Sequence, residues 1–309
     1  DVYKRQVAYV RAGDCFQVNL SQRFDFDLAD DVHPFDLFLK LTSASAAPYS
    51  AYFRLPRLAL VSNSPEQFLE VRPGSKGGFK VTTRPIKGTR PRGGTVQEDR
   101  QFAEDLVSSE KDRAENLMIV DLMRNDLSRV SRPGSVKVPS LFAIESFANV
   151  HHLVSTVVAE LHGEHGALSL VEAGFPGGSV TGAPKIRSMQ IISELEDEAR
   201  GAYCGSLVWM TPDGWMDSSI LIRTAALEEA EDGHWTGHFR AGGGIVADSV
   251  PALERQETLD KASAMIRALT ETSTGHVEDI LYVGHQRSSG MTVSVRDRSF
   301  LLGDGCFET

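Results

Sequence analysis

Apolar and polar positions alternate along several short runs of this chain, at 51–55, 58–62, 136–138, 154–160, 205–210, 220–226 and 239–246. A period of two places one set of side chains on one face of a strand, so each run predicts a half-buried β-strand. Between them lie stretches with apolar residues three and four apart, which predict helices at about 34–43, 98–127, 167–173, 184–195 and 251–269. The strands outnumber the helices and are joined mostly by turns. That pattern predicts an α+β fold with large antiparallel sheets in preference to a doubly wound parallel one. The chain has no internal repeat and no low-complexity segment.

Composition narrows the class. Of 309 residues, 41% are hydrophobic and 24% charged, enough to bury a large core and too polar for a fibrous or membrane-embedded protein. No apolar run approaches the ~20 residues of a membrane-spanning helix and no signal-peptide pattern opens the chain, so a cytoplasmic location is expected. A formal charge of −10 argues against nucleic acid or an anionic membrane as partner, and any anionic substrate must be met by local positive charge. Cys15, Cys204 and Cys306 are far apart in sequence and lack metal-ligand spacing, so reduced thiols are expected. The polar stretch 271–276 reads as a linker between a domain at 1–270 and a segment at 277–309 that opens with an apolar, strand-like run at 279–283.

Lys87 leads the candidate chemistry. It follows the alternating run 79–82 and stands between Pro85-Ile86 and Gly88, where backbone can approach a ligand closely. One reading is a nucleophile or anion clamp, its pKa lowered by Arg84 and Arg90; the other is a solvated loop lysine. Asp112 and Glu115 share one helix face and Glu254 and Glu257 another. Each pair repels itself by a few tenths of a kcal/mol, a cost that a hard dication such as Mg²⁺ reverses. The alternative is two ordinary acidic faces with Lys111, Arg113 and Arg255 as neutralising neighbours. The glycine-rich turn 175–184, leading into a helix with Pro184 in its first turn, has amides that suit an anion. Ala241-Gly242-Gly243-Gly244 offers amides in the same way, without the strand-to-helix context of a dinucleotide fingerprint. Arg223 falls in the apolar run 220–224, where a charge needs a carboxylate partner. His151 and His152 precede a strand; one is expected to point inward and the other to be a solvated loop residue.

The stretches FQVNLSQRF (16–24), SPEQF (64–68), TRPIKGTRPRG (83–93), EKDRAENLMIVDLMRNDLSRV (110–130), FPGGSVTGAPKIRSMQII (175–192), AGGGIVADS (241–249) and QETLDKA (256–262) occur in this order. Together they resemble the chorismate-utilising enzymes, over roughly residues 7–270. The resemblance implies two large antiparallel sheets packed face to face with helices outside, and a dianionic substrate, chorismate. It further implies Mg²⁺ held by Glu115 and Glu257 with Asp112 and Glu254 close behind, and Lys261 near the substrate carboxylate. Ser179, Tyr203, Arg223 and His152 match substrate contacts, Arg223 for the enolpyruvyl carboxylate, and Gly88, Thr89, Gly242 and Gly244 are assigned to substrate binding with them. Glu66 matches a carboxylate that does acid–base work. The relatives carry a sizeable region before this chain's start, where Asp1–Gln6 match nothing in the family, so an N-terminally truncated chain is expected.

Within the family two positions discriminate. Gln17 stands where water-adding members carry a lysine base, and an amide cannot take a proton from water. Lys87 stands where anthranilate synthases read Pro-Ile-Ala-Gly-Thr, and an alanine cannot bond covalently to substrate. Both features favour the aminodeoxychorismate synthase branch, in which ammonia reaches the ring by way of a lysine adduct. No amidotransferase nucleophile motif is visible, so a glutamine amidotransferase partner or free ammonia is expected. Anthranilate synthase component I and a catalytically silent fragment are the alternatives. The tail RDRSFLLGDGCFET (296–309) resembles the opening of fold-type-IV pyridoxal-phosphate enzymes such as aminodeoxychorismate lyase, cut off before the cofactor lysine.

Overall fold

The computed structural model describes residues 2–271, apart from 45, 75, 76, 148, 149 and 197, together with 281–282. In chain order these form α1 (Val2–Arg11), β1 (Gln17–Asp27), α2 (Pro34–Ala44), β2 (Tyr49–Leu55), β3 (Leu58–Ser64), β4 (Gln67–Pro73), β5 (Phe79–Thr83), β6 (Ile86–Pro91), α3 (Val96–Ser108) and α4 (Glu110–Ser128). There follow β7 (Lys137–Ser146), β8 (Val150–Glu160), α5 (Ala167–Gly174), a single 3-10 turn (Gly178–Val180), β9 (Gly182–Ala183) and α6 (Lys185–Leu195). The last elements are β10 (Ser206–Met210), β11 (Met216–Ile220), β12 (Thr224–Glu229), β13 (Trp235–Ile245), α7 (Pro251–Glu271) and β14 (Leu281–Tyr282). Among the described residues no helix is long and apolar enough to cross a membrane.

The chain divides into two compact units. The first takes the described residues of 1–65, 180–205 and 221–308. Its sheet runs β14-β1-β13-β12-β3-β2, with β9 added to β1, and every pairing is antiparallel. Alternation along β1 and β13 puts Phe24 opposite Phe239, their rings stacked 4.8 Å apart. They join a core with Leu37 and Leu41 of α2 and Ala262, Met265 and Leu269 of α7, the apolar stripes that helical periodicity predicts. Burying each large side chain of this kind stabilises the unit by about 1.5–3 kcal/mol. A second cluster joins Val18 and Leu20 of β1 to Ile191, Ile192 and Leu195 of α6.

The second unit takes 66–179 and 206–220. Its sheet runs β10-β11-β4-β5-β8-β6, with β7 paired to β8, again antiparallel throughout. Phe68, Leu69, Val71, Val81 and Val157 from the strands are buried, as are Leu106 of α3 and Ile119, Val120, Met123 and Leu127 of α4. The two helices cover β6 and β8. The predicted α+β class with two large antiparallel sheets is therefore what the chain forms.

Three local predictions need correction, and one element was not predicted. The helix expected over 98–127 is two helices, because Ser109 ends α3 and caps α4, its side chain accepting from the Asp112 N–H. The strand expected over 220–226 is interrupted: β11 ends at Ile220 and β12 begins at Thr224, with Arg223 between them at φ +51°. The glycine-rich turn does not run straight into α6; β9 intervenes and pairs with Gln17 and Val18, and Pro184 stands at the N-cap position. The first residues form α1, a helix no sequence signal indicated, and its buried Gln6 donates to the Val18 carbonyl at 2.9 Å. Of the segment 277–309 all but 281–282 lies outside the described residues, as do 272–276 of the expected linker.

Candidate active site

In the second unit, Lys87 lies on β6 at a break in register with β8, between the pairs Ile86↔Val154 and Thr89↔His152. The bulge turns the half-buried Lys87 amine toward the Ser179 carbonyl, to which it donates at 3.2 Å. Gly88 at φ +88° makes the bulge possible, and a Cβ there would lie 2.8 Å from Leu106 and 3.0 Å from Asp112. Its glycine identity thus serves both the backbone turn and the close approach of α3 and α4. Arg84 is paired with Glu145, and Arg90 with Asp112 at 2.9 Å. Both cations that flank Lys87 in sequence are thus matched by carboxylates.

Glu66 occupies the two-residue link between β3 and β4 and is buried. Ser179 is buried within the 3-10 turn. Thr89 Oγ1 lies 2.9 Å from His152 Nδ1, and the Phe147 ring is tilted against the same imidazole. His151 is not a solvated loop residue: both histidines are on β8, and His151 is 2% exposed. It bridges Ser146 Oγ at 2.7 Å and Asp99 at 2.9 Å. Asp112 and Glu115 do share a face of α4; Glu115 lies 4.0 Å from Lys111.

In the first unit, Gly242 and Gly244 of β13 each have a steric reason. A Cβ on Gly242 would stand 1.8 Å from the Leu20 carbonyl oxygen, and one on Gly244 1.8 Å from Gln17 Nε2. A Cβ on Gly243 would meet Glu257 Oε1 and Lys261 Nζ at 3.6 Å and Glu254 Oε2 at 3.7 Å. The α7 face carrying Glu254, Glu257 and Lys261 therefore converges on this one backbone position. Lys261 donates to the Gly242 carbonyl at 3.0 Å and pairs with Glu257 at 2.7 Å, while Glu254 accepts from Ser249 at 2.7 Å.

Gln17, the first residue of β1, is fully buried with neither amide atom hydrogen-bonded among the described residues. An unmade buried hydrogen bond is costly. Tyr203 is buried; burial, then neighbouring Cys204, push its phenol well above the ordinary range. Arg223 departs most from expectation. It is exposed on the kink between β11 and β12 rather than buried in a strand, with its own carbonyl accepting from Asn63 N–H at 3.1 Å.

A family model described as chorismate binding enzyme matches residues 1–267. The chain belongs to this family. As a chorismate-binding enzyme it is 51% identical over 268 residues to aminodeoxychorismate synthase component 1 of Klebsiella aerogenes, covering 86% of this chain and 56% of that protein. It is 44% identical over 269 residues to anthranilate synthase component 1 of Aquifex aeolicus, covering 87% and 52%. The crystal structure of anthranilate synthase component I from Streptococcus pneumoniae superposes with a TM-score of 0.74 at 38% identity, covering 85% of this chain and 56% of that one. The chain spans about half the length of the curated relatives it matches.

The donors suit a hard dication. Glu254 and Glu257 bring carboxylate oxygens over Gly243, and Mg²⁺ takes one or two such ligands beside substrate oxygens and water. No group of three or more His, Cys, Asp or Glu able to hold a metal occurs among the described residues, so an ion here needs that outside help. Sequence reasoning missed three charged residues that are buried: Glu196, Arg200 and Arg240 are 1%, 0% and 1% exposed. They escape notice because Glu194–Arg200 reads as a solvated charged run with no apolar period.

Proposed function

We propose that the chain carries the chorismate-converting part of an aminodeoxychorismate synthase component 1. It turns chorismate and ammonia into 4-amino-4-deoxychorismate on the route to p-aminobenzoate and folate. The observation that carries this reading is Lys87, a half-buried amine fixed on a strand bulge where the amine-adding alternative has alanine. In this scheme the free amine of Lys87 bonds to the ring carbon beside the carboxylate-bearing carbon. The ring double bond shifts, and the 4-hydroxyl leaves as water with a proton from Glu66. Ammonia then bonds at the vacated carbon, the double bond shifts back, and Lys87 departs as free amine. The surplus proton returns to Glu66.

Gln17 fits amine rather than water addition, since its amide offers hydrogen bonds but no base. Ser179, Tyr203, Arg223, His152, Thr89, Lys261 and the amides of Gly88, Gly242 and Gly244 are assigned to holding the dianion. Glu115 and Glu257, with Asp112 and Glu254, would hold Mg²⁺, which supplies charge that neutralises the ring carboxylate. A glutamine amidotransferase partner is proposed as the ammonia source, in keeping with the "component 1" in the relatives' names.

Anthranilate synthase component 1 is the second reading, favoured by 44% identity to the Aquifex aeolicus protein. The test is incubation of the full chain with chorismate, Mg²⁺ and ammonium at mildly alkaline pH, with products separated by mass and retention. Aminodeoxychorismate that vanishes in Lys87→Ala is the expected result. Anthranilate as product transfers the assignment to the second reading. No turnover by a cooperatively folded sample means a catalytically silent fragment.

A further inference from the structure

Arg200 is fully buried, and the scheme above gives it no part. Its Nε and Nη2 donate to the two oxygens of Glu196 at 2.9 and 2.7 Å. Nη1 donates to the Val180 carbonyl at 3.0 Å and the Cys204 thiol at 3.3 Å, and Nη2 to the Asn19 carbonyl at 2.8 Å. The guanidinium also lies 5.6 Å from the centre of the Tyr203 ring. Glu196 in turn accepts from the Ser21 N–H at 3.0 Å and from Arg240 at 3.4 Å.

A buried ion network is a poor way to gain stability, since well-packed apolar side chains of similar volume often do as well. Apolar side chains cannot orient a carbonyl. Arg200 orients two, and each lies on a stretch bearing candidate site residues. Asn19 follows Gln17 by two positions on β1, and its N–H is bound by the Thr181 carbonyl at 2.7 Å, next to Val180. The third stretch contributes Cys204, whose thiol accepts from Nη1, and Tyr203, whose ring lies against the guanidinium. One planar fork with fixed donor directions ties three segments that are distant in sequence.

We propose that Arg200 is a positioning residue: its guanidinium sets the relative placement of Gln17, the Val180–Thr181 backbone and Tyr203, and so governs turnover through them. The proposal rests on the reading of these residues as a chorismate site. Lysine at 200 keeps the charge but has a single nitrogen in place of the fork, so it loses the simultaneous bonds.

The test compares Arg200→Lys, Glu196→Gln, Tyr203→Phe and the doubles with Tyr203→Phe, in the full chain. Arg200→Lys is expected to melt cooperatively and to lose roughly a hundredfold in kcat with KM changed far less, the scale of a misplaced catalytic group. Its double with Tyr203→Phe should be no slower than Arg200→Lys alone. Losses that multiply in the double, or an unimpaired Arg200→Lys, overturn the proposal. Should Arg200→Lys fail to fold, Glu196→Gln, which loosens the bidentate hold, must show the same non-additivity with Tyr203→Phe. If the unmodified chain turns over no chorismate, the functional reading falls and hydrogen exchange decides the placement separately. Peptides over 17–21, 180–183 and 201–205 should exchange faster together in Arg200→Lys while 58–62 stays unchanged. Unchanged exchange in the three overturns the proposal whatever the activity.

Discussion

The two units each contain an arginine gripping a carboxylate with two nitrogens, in opposite surroundings. Arg200 and Glu196 in the first are wholly screened from water, and the remaining donors of the fork hold backbone carbonyls. Arg92 and Asp99 in the second unit meet at 2.6 and 2.8 Å with side chains 36% and 23% exposed. Asp99 also accepts from the Gly93 N–H and pairs with His151, at the start of a helix already capped by the Thr95–Glu98 box. The Arg92 hydrogen bond and the Gly93 N–H hold the Asp99 carboxyl far below the usual carboxylate range. Water can replace the partners of the second pair and not those of the first. The same chemical pair is thus a fixed part of the core in one place and a latch on a helix start in the other.

The largest expected effect breaks the buried pair. Arg200→Met leaves Glu196 charged and two carbonyls without their donor, and should cost about 3–5 kcal/mol in chemical denaturation. A loss below about 1 kcal/mol would mean that the buried network relaxes as readily as a surface one.

Acid separates the two regions by titration. Half-buried His238 of the first unit has its pKa lowered to about 4, by burial and then by Arg23. Its contribution is therefore present above the unfolded value near 6.5 and lost as pH falls through about 4, on the order of 2–3 kcal/mol. Asp99, lowered from 3.8, gives stability that is present above that value and is lost only as pH drops below it. Melting curves between pH 6.5 and 4 should flatten in His238→Gln and keep their slope in Asp99→Asn; the reverse pattern would contradict the assignment.

The smallest effect is that of Asp99→Asn at neutral pH. Its lowering of the melting temperature should shrink as salt is raised, because an exposed pair is screened. A salt-independent loss would place this latch with the buried network.

Legibility in the sequence followed the range of the interactions. The helix at 251–269 is found at Pro251–Glu271, and its acidic pair does share a face, because three-residue spacing on a helix is a local property. The break at Ser109 is also local, a capping serine read as helix interior. Arg223 was misread because an apolar run predicts a strand and is silent on a kink with positive φ. His151 was misread because its partners, Asp99 and Ser146, lie on a helix and on the paired strand β7.

By itself the sequence determined the α+β class, the placement of most strands and helices, and the family. These depend on periodicity, composition and motifs that neighbours along the chain carry. Only the tertiary structure decided that Arg84 and Arg90 are matched by carboxylates, that Arg223 is exposed, and that a charged run buries Arg200 as the tie between three segments. A charge's meaning depends on what surrounds it in space, and those surroundings come from residues up to 181 positions away.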